Sequence, residues 1–141
     1  MINVKTYAMK DVHPIPSNEY LIGITSNGNW IHSNPVMKDA INVLNLKFED
    51  VEKSGLKVIQ WFNNTQRIIY ASICSVNQAK QIVDFIRKIP KNATLHVYCA
   101  KGQSRSVAVA NYVRKYYNNE IIDDSSHNKH VYSLLERYHN A

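Results

Sequence analysis

The chain has 141 residues, a length that fits one domain and buries roughly 70% of its unfolded surface, enough for a core without metal or disulfide staples. Its 45% hydrophobic and 20% charged content, with four Gly and four Pro, excludes disordered, collagen-like and Pro-rich classes, and no apolar run approaches the ~18 residues that span a bilayer, so no membrane partner is expected. The net charge of +6 suits an anionic partner, a phosphorylated substrate or nucleic acid, but the basic residues (Lys80, Arg87, Lys88, Lys91, Arg114, Lys115, Lys129) are scattered and form no tract.

From the N-terminus, Met1 to Asp11 lacks the apolar core of a signal peptide. Ile2 to Met9 and Glu19 to Thr25 have the β-branched and aromatic content of strands, and Ser26-Asn27-Gly28-Asn29 reads as a turn. Between them His13-Pro14-Ile15-Pro16 cannot be helical, because each Pro removes a donor and restrains the residue before it. Ile41 to Phe48 is a third strand, Glu49 to Ser54 an acidic loop at its end, and Gln66 to Ile73 either a short strand or the approach to a helix. Ser75 to Gln78 is a capping-box pattern, followed by apolar residues at helical spacing (Ala79, Ile82, Val83, Phe85, Ile86, Ile89) until Pro90 stops the helix. Ala93 to Tyr98 is an apolar run too short for a helix and reads as a buried strand. Amphipathic helices are expected at Ser104 to Tyr117 and at Asn128 to His139, separated by a polar break. The alternation predicts one α/β domain over residues 1–141, a central, mostly parallel sheet flanked by helices.

The strand ending at Tyr98 runs into Cys99-Ala100-Lys101-Gly102-Gln103-Ser104-Arg105-Ser106, with a helix directly after. A loop of backbone N–H groups at a helix N-terminus is a cradle for phosphate. The same positive end lowers the pKa of a thiol from about 8.5 toward ~3.5–7.5, so Cys99 would be a thiolate nucleophile at neutral pH. Gly102 permits a backbone angle that a Cβ forbids. Arg105 can grip two phosphoryl oxygens at once, with the loop residues Ala100 to Ser104 supplying amides around the anion. Ser106 can donate a hydrogen bond to the sulfur when it leaves.

These residues resemble the signature of the cysteine-dependent protein tyrosine phosphatase superfamily, in its dual-specificity branch, whose loop reads Cys-x-x-Gly-x-Ser-Arg-Ser; Gly102, Ser104, Arg105 and Ser106 match it. The resemblance extends more loosely from Ile41 to Leu135. Leu46-Lys47-Phe48-Glu49-Asp50 is similar to a Leu-x-Phe-x-Asp segment of small bacterial and phage members, and Asn128-Lys129-His130-Val131 to the start of their final helix. The family carries His immediately before the Cys; here Tyr98 stands there, with His96 two residues earlier and on the same strand face as Tyr98. Lys101 adds a cation at the rim of the cradle, as in relatives that act on polyanions.

A leaving oxygen needs a proton. No Asp or Glu lies between Glu52 and Asp84, and the resemblance favours Asp50 as the acid, with Glu49 and Glu52 as rivals. Cys74 is either buried packing or, as in some relatives, a disulfide partner for an oxidised Cys99. His127, His130 and His139 lack the Cys or carboxylate support of a metal site, so no metal and no cofactor are expected. Trp30, Trp61 and the Tyr112, Tyr116, Tyr117 group read as packing, Trp30 and Trp61 alternatively as platforms for substrate. Two cysteines make no disulfide framework, which predicts a cytoplasmic protein, expected as a monomer. The resemblance implies a phosphatase that hydrolyses phosphotyrosine, or phosphoserine and phosphothreonine, on proteins through a phosphocysteine intermediate. Alternatives are an RNA 5′-phosphatase, another polyanion phosphatase, and a phosphate-binding module with weak catalysis.

Overall fold

Two segments carry near-continuous apolar sequence, residues 20–25 and 94–99, and a strand that is apolar on both sides needs cover on both faces of its sheet. The computed structural model describes residues 1–26, 30–53, 57–62, 64–70 and 72–140. In chain order its elements are β1 (Asn3–Ala8), β2 (Tyr20–Thr25), a single-turn α1 (Trp30–Ser33), β3 (Val43–Lys47), β4 (Lys57–Phe62), β5 (Thr65–Tyr70), α2 (Val76–Arg87), β6 (Thr94–Cys99), α3 (Arg105–Tyr116) and α4 (Lys129–Tyr138), with a 3-10 turn at Met9–Asp11. The sheet runs β1-β6-β2-β3 and every pairing in it is parallel, with Ala8 opposite Cys99, Ile22 opposite Val97 and Ile24 opposite Leu46. The two apolar runs are its central strands.

The strand alternation of period two divides the chemistry between the faces. Ile22, Ile24, Leu95, Val97 and Cys99 join the core built with α2, α3 and α4, through Ile82, Ile86, Val109, Tyr112 and Leu135 among others. Each such fully buried aliphatic side chain contributes about 1.5–3 kcal/mol. On the other face Leu21 and Tyr98 pack with Ile31 and Met37 under Tyr7, Val12, Ile15 and Trp30. The sheet is thus covered by three long helices on one side and by α1 with irregular chain on the other. Among the described residues no helix is long and apolar enough to cross a membrane.

The capping box is formed in full. Ser75 Oγ accepts from the Gln78 N–H at 3.1 Å, and Gln78 Oε1 accepts from the Ser75 N–H at 3.0 Å. Gln78 also donates to the Lys47 carbonyl at 2.8 Å, tying α2 to the end of β3. The ambiguous stretch from Gln66 resolves as strand: β5 pairs antiparallel with β4 in a separate two-stranded sheet, Lys57 opposite Tyr70 and Phe62 opposite Thr65. The expected turn at Ser26-Asn27-Gly28-Asn29 lies, beyond Ser26, outside the described residues, as do Ser54 and the side chain of Trp61.

Candidate active site

β6 delivers Cys99 to the carboxyl end of the sheet, the loop 100–104 turns, and α3 begins at Arg105. Parallel sheets bind ligands outside this edge. The turn depends on Gly102, at φ +68°, where a Cβ would sit 2.6 Å from the Ala8 nitrogen and 2.6 Å from the Tyr7 carbonyl carbon. The loop therefore rests on the end of β1, and the Met9 N–H donates to the Ala100 carbonyl at 3.4 Å.

Cys99 is buried, and its sulfur meets Ser106 twice: the thiol donates to Ser106 Oγ at 3.2 Å, and the Ser106 N–H donates to the sulfur at 3.4 Å. Burial pushes the thiol up; the Ser106 side chain and backbone, the Arg105 charge and the Gly102 N–H pull it down and prevail, so Cys99 titrates below an ordinary cysteine. Arg105 is also buried. Its Nη1 donates to the Phe48 carbonyl at 2.7 Å and to Ser26 Oγ at 3.2 Å, whereas its Nε has no partner among the described residues. A buried guanidinium N–H without a partner is costly unless an anion takes it. Ser104, at the N-cap of α3, makes no cap bond with its side chain; the hydroxyl donates instead to Asp50 Oδ1 at 2.8 Å.

A cleft of ≈ 620 Å³ is lined by Cys99, Ala100, Lys101, Gln103, Ser104 and Arg105 on one wall and by Ser26, Glu49, Asp50, Val51 and Ser126 on the others. The structure thus brings together the candidate nucleophile Cys99, the Arg105 guanidinium and two of the three candidate acids, Glu49 and Asp50. Glu52 lies apart from this cleft: its Oε2 accepts from the Lys129 N–H at 2.9 Å, at the start of α4. Lys101 is exposed at the rim.

The position before Cys99 has a different chemistry from a loop-supporting His. Tyr98 is fully buried on the opposite face of the sheet, stacked on Tyr7 with centroids 4.8 Å apart, and its hydroxyl meets His13 Nδ1 at 3.1 Å. Burial, opposed by the His13 contact, pushes that hydroxyl up to about 12. His96 shares the face, as strand alternation requires, and contacts Tyr7 and Glu19. Neither side chain enters the cleft. Trp30 packs at 5.4 Å from Tyr98, and Tyr112 lies in the core with Tyr116 and Tyr117 against it. The three histidines have three separate partners: Asn111 for His127, the Cys74 carbonyl for His130 and the Tyr112 hydroxyl for His139.

Sequence reasoning missed Ser26, the Phe48 carbonyl and Asn128. The first two hold Arg105. Asn128 donates to Asp50 Oδ1 at 2.9 Å and to the Val51 carbonyl at 3.1 Å. Its signal in the sequence, an N-cap before an amphipathic stretch, points to a helix start and not to a partner for Asp50. No family model, curated protein or solved structure matches the chain.

Proposed function

We propose that the protein is a cysteine-dependent phosphatase that hydrolyses phosphomonoesters, phosphotyrosine or phosphoserine and phosphothreonine on proteins, through a phosphocysteine intermediate. The observation that carries this reading is that Cys99, Arg105 and Asp50 line one cleft, with the thiol held below its ordinary titration range. In the first step the Cys99 thiolate attacks phosphorus and the bond to the leaving oxygen breaks, while Asp50 passes that oxygen a proton. Arg105, through the Nε that has no partner among the described residues, and the amides of residues 100–104 hold the phosphoryl oxygens as charge moves. In the second step water attacks phosphorus and gives its proton to Asp50. The sulfur leaves as thiolate, stabilised by the hydroxyl and N–H of Ser106.

A second reading keeps this chemistry but takes an RNA 5′-phosphate or another polyanion; exposed Lys101 on the rim and the charge of +6 favour it. The test is a panel of phosphotyrosine and phosphoserine peptides, 5′-triphosphate RNA and phosphoinositides, beside Cys99→Ser and Arg105→Lys controls. A hydroxyl at its normal acidity is a poor nucleophile and an ammonium cannot reproduce the guanidinium fork, so both variants should fall below about a hundredth of wild-type turnover. Cys99→Ser should still bind phosphate. Turnover of any ester that survives Cys99→Ser at a tenth of wild type or more would contradict the reading, and hydrolysis of RNA alone, falling steeply with salt, would select the second.

A further inference from the structure

Asn128 is 2% exposed, and its hydrogen-bonding capacity is spent on three separate parts of the chain. The side-chain Oδ1 accepts the Val131 N–H at 3.0 Å and caps α4. Both protons of Nδ2 go the other way, to Asp50 Oδ1 at 2.9 Å and the Val51 carbonyl at 3.1 Å. Its backbone N–H donates to the carbonyl of Ser104, the last residue of the phosphate loop, at 3.2 Å. A helix cap needs only the acceptor, which Asp or Ser supplies as well as Asn. The two donors toward residues 50 and 51 are what an amide adds. Ser104 completes the arrangement by donating to the same Asp50 oxygen, so that among the described residues Oδ2 is left for a transferable proton.

We propose that Asn128 is a positioning residue for the leaving-group acid: it clamps the Asp50 segment onto the phosphate loop before substrate arrives. The inference rests on the reading of Asp50 as that acid. The loop carrying Asp50 is anchored further by the Glu49 N–H, which donates to the Ser72 carbonyl at 2.7 Å, and by Glu52 Oε2, which accepts from the Lys129 N–H at 2.9 Å. A carboxyl fixed at both ends of its segment is held in one orientation toward the leaving oxygen. Displacement of about 1 Å from such geometry can cost ~100-fold in rate.

The test uses Asn128→Asp and Asn128→Ser, which keep an acceptor for the Val131 N–H but remove the amide donors, with Asp50→Asn as the benchmark. Turnover is read on a phosphoserine peptide, whose alkoxide needs a proton to leave, and on 4-nitrophenyl phosphate, which leaves with little help. In both Asn128 variants kcat for the peptide should fall about 10- to 100-fold and kcat for the aryl ester less than about threefold, with KM unchanged. Adding Asp50→Asn should then cost little more, because the two residues act as a unit. Amide hydrogen exchange supplies a readout independent of activity: the Glu49 amide should exchange about tenfold faster while those of Val131 and Tyr132 stay protected. Equal losses on the two esters, or unchanged Glu49 exchange, would reduce Asn128 to a helix cap and overturn the proposal. If wild type hydrolyses neither ester, the proposed function fails, and the exchange comparison still decides whether Asn128 holds the loop.

Discussion

Cys74 and Cys99 belong to one hydrophobic cluster, both almost wholly buried, and their acid–base behaviour diverges. Burial alone acts on Cys74 and pushes it up to about 12. Burial acts on Cys99 too, but its two hydrogen bonds with Ser106, the Arg105 charge and the Gly102 amide favour the thiolate more strongly. The difference predicts the pH dependence of alkylation by iodoacetamide. A thiol reacts as its thiolate, so Cys99 should be modified near neutral pH, with a rate that climbs to its plateau below the value of about 8.5 expected of a free cysteine. Cys74 should stay unmodified in the folded protein over the same range. Peptide mass spectrometry at a series of pH values checks both; equal labelling of the two, or a Cys99 midpoint at or above that of free cysteine, would mean that the loop does not activate its thiol.

At the scale of the elements, the tight turn between β6 and α3 depends on a single glycine. In Gly102→Ala the positive φ alone costs about 1–3 kcal/mol, and the added carbon meets backbone of Tyr7 and Ala8, which cannot swing aside as a side chain would. The variant should lose about 3–10 °C in Tm; turnover should fall at least tenfold, because the amide that favours the thiolate moves with the turn. Circular dichroism melts beside steady-state rates read this, and a variant with wild-type rate and Tm would show that the cradle does not depend on this turn. Such local features were legible in the sequence: eight consecutive residues spell the loop, Ser75 to Gln78 spell the cap, and the apolar runs at 20–25 and 94–98 mark the two central strands. The β4–β5 hairpin was not legible, because a two-stranded ladder is defined by cross-strand pairing and not by periodicity. Its best signal is the Asn63-Asn64 pair, with Asn64 at φ 61°. The bond between Asp50 and Asn128 joins residues 78 apart in the chain, and only the packing of α4 brings them together.

For the molecule as a whole, the parallel sheet gathers four distant segments at one edge: Ser26 after β2, Phe48 to Val51 after β3, the loop after β6, and Ser126 to Asn128 before α4. The two faces of β6 divide the labour. Cys99 looks toward the helical core and the Ser106 hydrogen bonds, whereas Tyr98 and His96 tie the opposite face to β1 and the N-terminal segment. Tyr98 therefore supports the loop from the far side of the sheet, through packing on the strand that Gly102 rests against. What the assembled edge can do is best read by trapping the covalent intermediate. Wild-type protein mixed with 4-nitrophenyl phosphate, quenched in acid within the first turnovers and digested, should carry one phosphoryl group on the peptide that contains Cys99. The group should be absent from Cys99→Ser. Turnover without any phosphoryl group on Cys99, or one found on another residue, would contradict the account.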